Sequence, residues 1–203
     1  RSLARISESG FALNKPVHII PYPLYRTGKT LRETRETTVL FAGRDEKRKG
    51  TGLIREFGFL LKQKAPEYVL KVCGEFGRQN GTKEGNIIFT GPLGSENLRT
   101  EYRRASVFLF LSSWDNFPNV VIEAMQNGCI VLSFKNGGAE EMIEDKKSGY
   151  LYDRNRLGEM AQKAVEIMKH PEDFENIRKN ALTRIESVCD PAKFAKKTLE
   201  QVK

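Results

Sequence analysis

Short β-branched or aromatic runs alternate with stretches of helical spacing along the chain, and this alternation constrains the fold more than any other feature. The runs are VHII (17–20), TTVLFAG (37–43), YVLKVCG (68–74), NIIFTG (86–91), VFLFLS (107–112), CIVLSF (129–134) and GYLYD (149–153). Several are apolar throughout, the pattern of strands covered on both faces. Between them, GLIREFGFLLKQK (52–64) puts Leu53, Ile54, Phe57, Leu60 and Leu61 on one stripe. SENLRTEYRRA (95–105) opens on Ser95 as an N-cap and aligns Leu98, Tyr102 and Ala105. PNVVIEAMQNG (118–128) carries Pro118 in its first turn and Gly128 as its stop. AEEMIEDKKSG (139–149) reads as a helix ended by Gly149, and the chain beyond 155 reads as helical with breaks near Pro171 and Pro191. Strand–helix–strand alternation predicts an α/β fold, a doubly wound parallel sheet with helices on both faces. In such folds ligands bind beyond the carboxyl ends of the strands, where the strand order reverses. Functional residues are therefore sought in the loops that leave each strand.

Composition narrows the chemistry. A chain of 203 residues suits one domain with some additional helix. With 39% hydrophobic and 30% charged residues it is globular rather than disordered. No apolar run approaches the length of a membrane span. The opening RSLARISESGFALNK has neither an apolar signal-peptide core nor an initiating Met, so a fragment of a longer protein is expected. Cys73, Cys129 and Cys189 are odd in number and far apart, against a disulfide framework or a zinc cluster. Cys73 and Cys129 lie in apolar runs and are expected as buried thiols in a reducing compartment. His18 and His170 have no partners at metal-ligand spacing, so no metal is expected. The net charge of +8 favours an anionic partner: phosphate, nucleotide, nucleic acid or an anionic membrane surface. Aromatic residues are not interleaved with the basic ones, which counts against nucleic acid.

Neither a GxGxxG loop after the first strand nor a Walker phosphate loop is present, so any phosphate is held another way. In GRDEKRKG, Gly43 permits a tight exit from the strand, and Arg44 and Lys49 stand at its carboxyl end. A guanidinium and an ammonium there suit a diphosphate clamp; a charged surface turn capping the next helix fits the same residues. In SSWDNFPNVVIEAMQNG, Asp115 or Asn116 is expected to cap the helix beginning near Pro118. The amides of Asn119 and Val120 would then face the strand ends as an anion site. Glu123 lies one turn further among apolar neighbours, where a carboxylate needs hydroxyl or cationic partners. Ribose hydroxyls meet that need, as does a salt bridge to Arg44 or a surface-facing position. The turn GPLGSEN (91–97) could hydrogen-bond a base edge while Leu93 packs on its face; GEFG (74–77) and NGGAEE (136–141) end two further strands and are ambiguous. No nucleophile–base arrangement is apparent.

Taken together these motifs resemble a known family. SSWDNFPNVVIEAMQNGCIVLSFKNGGAEEMI is similar to the donor-binding block of family-four retaining glycosyltransferases with the two-Rossmann GT-B architecture. That block carries two acids with seven residues between them, usually both Glu, here Asp115 and Glu123. FAGRDEKRKG resembles the family's glycine–arginine turn with its following lysine, and GPLGSENLRTEYRRASVFLFLSS its base-binding loop and next strand. VHIIPYP resembles the interdomain linker and first strand of the C-terminal domain. Two departures stand out: Asp at 115, and Pro118-Asn119 in place of a glycine-containing turn.

The resemblance implies the following expectations. Residues 16–188 form a Rossmann-like nucleotide-sugar-binding domain, residues 1–15 are a linker or remnant of an N-terminal domain, and 189–203 form a helix that packs back toward that missing domain. Gly43, Arg44 and Lys49 meet the donor diphosphate, and the Asn119 and Val120 amides face it. Glu123 holds the ribose, Asp115 touches the donor sugar or positions the phosphates, and Pro92 and Leu93 hold the base. The catalytic set is Arg44, Lys49, Asp115 and Glu123, with no cofactor beyond the nucleotide-diphosphate sugar and no metal. The parent enzyme transfers a hexose-like unit with retention to a glycan or lipid-linked acceptor, reached through the missing domain, while the fragment alone is inactive. A cytoplasmic location with peripheral contact at the inner face of the plasma membrane follows from such acceptors. A non-catalytic nucleotide or sugar-phosphate-binding module of the same fold, and a basic domain for membrane or nucleic acid, are the alternatives.

Overall fold

The computed structural model describes residues 35–192 and residue 195. The strand expected at 17–20, the linker expected over 1–15 and most of the terminal helix expected over 189–203 lie outside these residues.

Seven strands form one sheet among the described residues. They are β1 (Glu36–Ala42), β2 (Val69–Cys73), β3 (Thr82–Glu84), β4 (Ile87–Gly91), β5 (Ala105–Phe110), β6 (Ile130–Phe134) and β7 (Tyr150–Tyr152), in the order β3-β4-β2-β1-β5-β6-β7. All pairings are parallel except β3 with β4. The helices are α1 (Ile54–Lys64), α2 (Ser95–Arg104), α3 (Asn119–Gln126), α4 (Gly138–Met142), α5 (Leu157–Lys169) and α6 (Glu175–Val188). The expected doubly wound α/β sheet is what forms.

The alternation of side chains along each central strand builds two cores. Val39 and Phe41 of β1, Val107 and Leu109 of β5 and Ile130 and Leu132 of β6 pack with Ile54, Phe57 and Leu61 of α1 and with the apolar stripe of α5. Their neighbours Leu40, Phe108, Phe110 and Val131 point the other way, onto Tyr102 of α2, Val121, Ile122 and Met125 of α3 and Ala181 and Ile185 of α6. Burial on both faces explains why β1, β5 and β6 read as continuous apolar runs.

Three local readings change. Strand β3 was not expected, because Thr82–Glu84 is a polar edge strand with one neighbour and no apolar signature. The helix expected over 139–149 ends at Met142. Ile143 is extended (φ −100°, ψ 125°) and buried, and Lys146 takes a left-handed φ of 61°. The turn lets residues 145 and 149 bridge and start β7, a long-range demand that local propensity does not reveal. Ser95 begins α2 rather than capping it, and Gly94 is the N-cap. On the open side of β7 the Leu151 amide donates to Asp145 Oδ1 at 2.8 Å.

The chain runs outward from β1 through β2 to β4 and then returns to lay β5 on the other side of β1. The crevice between the carboxyl ends of β1 and β5 is therefore the topological switch point.

Candidate functional site at the switch point

Two loops meet over this crevice. The first leaves β1 at Gly43, whose amide donates to the Cys73 carbonyl at 3.0 Å. It runs past Arg44 into a tight turn at Lys47–Lys49 and reverses at Gly50 (φ 76°). A Cβ on Gly50 would lie 2.3 Å from the Leu111 carbonyl oxygen, so the absence of a side chain lets this loop press against the exit of β5. The second loop leaves β5 and is stitched to the first. Ser113 N–H donates to the Arg48 carbonyl at 2.8 Å, and the Arg48 guanidinium donates to the Trp114 carbonyl at 3.1 Å. Lys49 Nζ lies 2.7 Å from Asp115 Oδ2, with Arg48 at 3.7 Å from the same oxygen. The Lys49 and Asp115 side chains are only 22% and 15% exposed, which distinguishes this pair from a solvated surface bridge.

A third loop, after β6, buttresses the second. Asn136 Nδ2 donates to the Ser112 carbonyl at 3.1 Å, Gly138 N–H donates to the Asp115 carbonyl at 2.9 Å, and residues 115 and 137 form a parallel bridge. A Cβ on Gly138 would sit 2.5 Å from the Asp115 carbonyl oxygen. Glu140 accepts the Gly137 amide at 2.9 Å, and Arg154 donates to the Ser113 carbonyl at 2.5 Å. Asp115 is thus held at its side chain by β1's loop and at its backbone by β6's.

The start of α3 opens onto the same rim. Its N-cap is Pro118, which has no side chain able to cap, and neither Asp115 nor Asn116 caps the helix. This corrects the capping expectation: the Asp115 carboxylate is taken by Lys49 instead. The amides of Val121 and Ile122 donate to the Pro118 carbonyl, whereas those of Asn119 and Val120 donate to no described group. Two amides without a described acceptor at a helix start are the kind of donors that suit an anion.

Glu123 projects from α3 toward α2. The residue is exposed as a whole, yet its carboxyl is partly withdrawn from water, and this loss of hydration raises its pKa. Tyr102 and Arg99 on α2 act in the opposite direction. The Tyr102 hydroxyl is buried and makes no formed hydrogen bond, with Glu123 close enough to influence it. Among the described residues no ion pair links Arg44 to Glu123; Arg44 is exposed. The turn that follows β4 carries Pro92, exposed, and Leu93, partly buried against the α2–α3 core. Arg44, Lys49, Asp115, Asn119, Val120, Pro92 and Leu93 all lie in or beside loops at the carboxyl ends of β1, β5 and β4; of these, Lys49 and Asp115 touch directly.

Sequence reasoning missed Arg48, Asn136, Gly138, Arg154 and Tyr102. Arg48 is one of several cations in its loop, and nothing local marks it as the one whose carbonyl and guanidinium both reach the next loop. NGGAEE was noted as a strand exit without a role. Tyr102 reads as an ordinary core aromatic. Among the described residues there is no group of His, Cys, Asp and Glu suited to a metal, and no helix is long and apolar enough to cross a membrane.

Over 125 residues the chain is 32% identical to a sucrose synthase of Denitrovibrio acetiphilus, an alignment covering 57% of this chain and 16% of that protein. A crystallised point mutant of S. aureus TarM, in complex with Fondaparinux, alpha-GlcNAc-glycerol and UDP, superposes with a TM-score of 0.85 at 18% identity, covering 98% of this chain and 42% of that one. Anabaena Alr3699/HepE in complex with UDP-glucose superposes with a TM-score of 0.69 at 21% identity, covering 82% and 48%. The chain spans less than half the length of each of these proteins. The two structural likenesses share the GT-B half-fold with this sheet. The family model for glycosyl transferases group 1 matches residues 27–184. From β1 to α6, then, this chain is a member of the group 1 glycosyl transferases.

Proposed function

We propose that this chain is the donor-binding half of a retaining glycosyltransferase and holds a nucleotide-diphosphate sugar across the β1–β5 crevice. The observation that supports the proposal is the meeting of Lys49 and Arg48, from the loop after β1, with Asp115, from the loop after β5, at the switch point; to these we add Arg44 of the same loop and the Asn119 and Val120 amides at the start of α3, which donate to no described group. Cations and aimed amides suit a diphosphate, and they lower the barrier to its departure by stabilising the charge that develops on it. In this reading Lys49 exchanges part of its contact with Asp115 for a phosphate oxygen. The Asp115 carboxylate is then available to the donor sugar. Glu123 takes the ribose hydroxyls, and Pro92 and Leu93 border the base. The known relatives extend well beyond this chain, and we assign the acceptor site, with a glycan or lipid-linked saccharide as its occupant, to the portion outside it. Transfer by the isolated chain is accordingly not expected. No metal is required, because the basic side chains neutralise the diphosphate. A peripheral position on the cytoplasmic membrane face belongs to the same reading of the acceptor.

Titration with UDP, GDP and ADP tests this. Trp114 is the chain's single tryptophan and lies on the 112–118 loop, 45% exposed, so its emission reports binding alongside calorimetry. One nucleotide is expected to bind in preference to the others, and Lys49→Met to weaken it by about tenfold, the loss of one charge-assisted contact. Equal affinity of Lys49→Met and wild type, or no binding of any of the three, would refute the assignment.

A further inference from the structure

Tyr102 occupies the last turn of α2, and its residue surface is 1% exposed. Its ring packs against Phe108 of β5 at 5.5 Å between centroids. The phenol oxygen is buried and has no formed hydrogen bond. A buried hydroxyl in that state is unfavourable, and each such case in a folded protein asks for a cause. The face of α2 from which Tyr102 projects looks onto α3, where Glu123 is the acid that acts on the phenol; the Cys73 and Cys129 thiols act on it more weakly.

The surroundings of Glu123 leave few alternatives. From α2 it is faced by Tyr102 and Arg99, and Arg99 is already paired with Glu96 at 3.0 Å. Several charged residues on the other helices packed against α3 have partners of their own. On α4, Glu140 accepts the Gly137 amide. On α6, Arg178 donates through Nη1 to the Pro171 carbonyl and to Glu175, while its Nε and Nη2 are buried without a hydrogen bond, and Arg184 donates to the carbonyls of Glu141 and Met142. The Tyr102 phenol is the neutral donor among the groups that act on this carboxyl, and it is buried without another partner.

We propose that Tyr102 is the positioning residue for Glu123: its buried hydroxyl donates to the carboxylate and fixes the orientation in which the other oxygen faces the ribose of a bound donor. An ionised carboxylate only accepts hydrogen bonds, so an oxygen left free by Tyr102 can receive a ribose hydroxyl. A hydroxyl donated to the charged form also favours that form, against the burial that disfavours it. Loss of the phenol therefore leaves Glu123 both less ordered and more readily protonated. The ribose contact rests on the donor-binding reading; the coupling between Tyr102 and Glu123 does not.

The test uses the whole chain and Tyr102→Phe. The carboxyl carbon of Glu123 is titrated by NMR in both, and the nucleoside diphosphate that binds best among UDP, GDP and ADP is compared with its 2′-deoxy form from pH 5 to pH 8. In Tyr102→Phe the Glu123 midpoint is expected to rise by about one pH unit, equivalent to about a tenfold change in the ionisation equilibrium. Affinity for the ribonucleotide is expected to fall most at the acidic end, and the preference over the deoxynucleotide to narrow. An unchanged midpoint overturns the proposal. A changed midpoint with no nucleotide binding by the wild type supports the coupling and defeats the donor reading instead. A second measurement needs no Tyr102 variant: the Tyr102 Cζ signal should shift at the Glu123 midpoint in the wild type and stay flat in Glu123→Gln. A Tyr102 signal that ignores the Glu123 titration overturns the proposal equally.

Discussion

Gly138→Ala tests whether the three loops at the switch point form one mechanical unit. A Cβ at this position lands 2.5 Å from the Asp115 carbonyl oxygen, 2.6 Å from the Asn116 carbonyl oxygen and 2.7 Å from the Asn116 carbonyl carbon. All three are backbone atoms, so no side chain can swing aside. The 115–116 segment and the start of α4 must separate, which breaks the 2.9 Å hydrogen bond from Gly138 to Asp115. Overpacking of a tight contact costs about 1–3 kcal/mol and the lost hydrogen bond about 1 kcal/mol more. A total of about 2–4 kcal/mol lowers the melting temperature of a chain this size by roughly 5–15 °C. Circular dichroism melts and urea titrations read the loss directly. Gly52→Ala is the matched control, because nothing lies within 4 Å of its new Cβ and its backbone is not left-handed. That change is expected to be neutral or to stabilise by about 0.5–1 kcal/mol, through the unfolded chain. If Gly138→Ala melts within about 1 °C of wild type, a shift worth well under 1 kcal/mol, the loops are not clamped as described.

Two further outcomes follow from burial. Burial raises the Glu123 pKa above its unfolded value of 4.5, so the folded chain prefers the neutral form, and this contribution to stability is lost as pH rises through the folded value. Glu123→Gln should therefore melt no lower than wild type at pH 7–8, with any advantage shrinking toward pH 4, while its nucleotide affinity falls; a variant that is less stable at neutral pH and equal at pH 4 would contradict the sign. Cys73, Cys129 and Cys189 are buried, and burial pushes each thiol up to about 11. A thiol reagent at pH 8 should label the native chain slowly and all three cysteines at once after unfolding; rapid native labelling would show that one of them is open to solvent.

The parts of the fold that were legible in the sequence are those whose signal is local. β1, β5 and β6 are covered on both faces, so their apolar runs are unbroken, and Gly128 stops α3 with the left-handed turn its position predicts. What was illegible depends on partners far along the chain. Asp115 sits where a helix cap is ordinarily found, but Lys49, 66 positions earlier, holds its carboxylate. Ile143 interrupts a helical pattern because the chain must return to lay β7 beside β6. Thr82–Glu84 pairs on one side only, so no apolar signature was needed. At the proposed site, residue type and order pointed to the loops at the carboxyl ends of β1, β4 and β5, and the structure brings Lys49 and Asp115 into contact there. The stitching of Arg48 to Trp114 and of Gly138 to Asp115 uses backbone carbonyls, which every residue carries and no sequence pattern distinguishes.

The two borders that the sheet has among the described residues carry a consequence for the protein in concentrated solution. Each is a strand of three residues, and on the β7 side Asp145 already occupies the Leu151 amide. A foreign strand arriving at either margin would find too short a ladder to nucleate on, and on one margin a carboxylate standing where its own carbonyl would need to go. Intermolecular β-stacking is thereby discouraged by the same compact ends that leave the middle of the sheet free to carry the crevice.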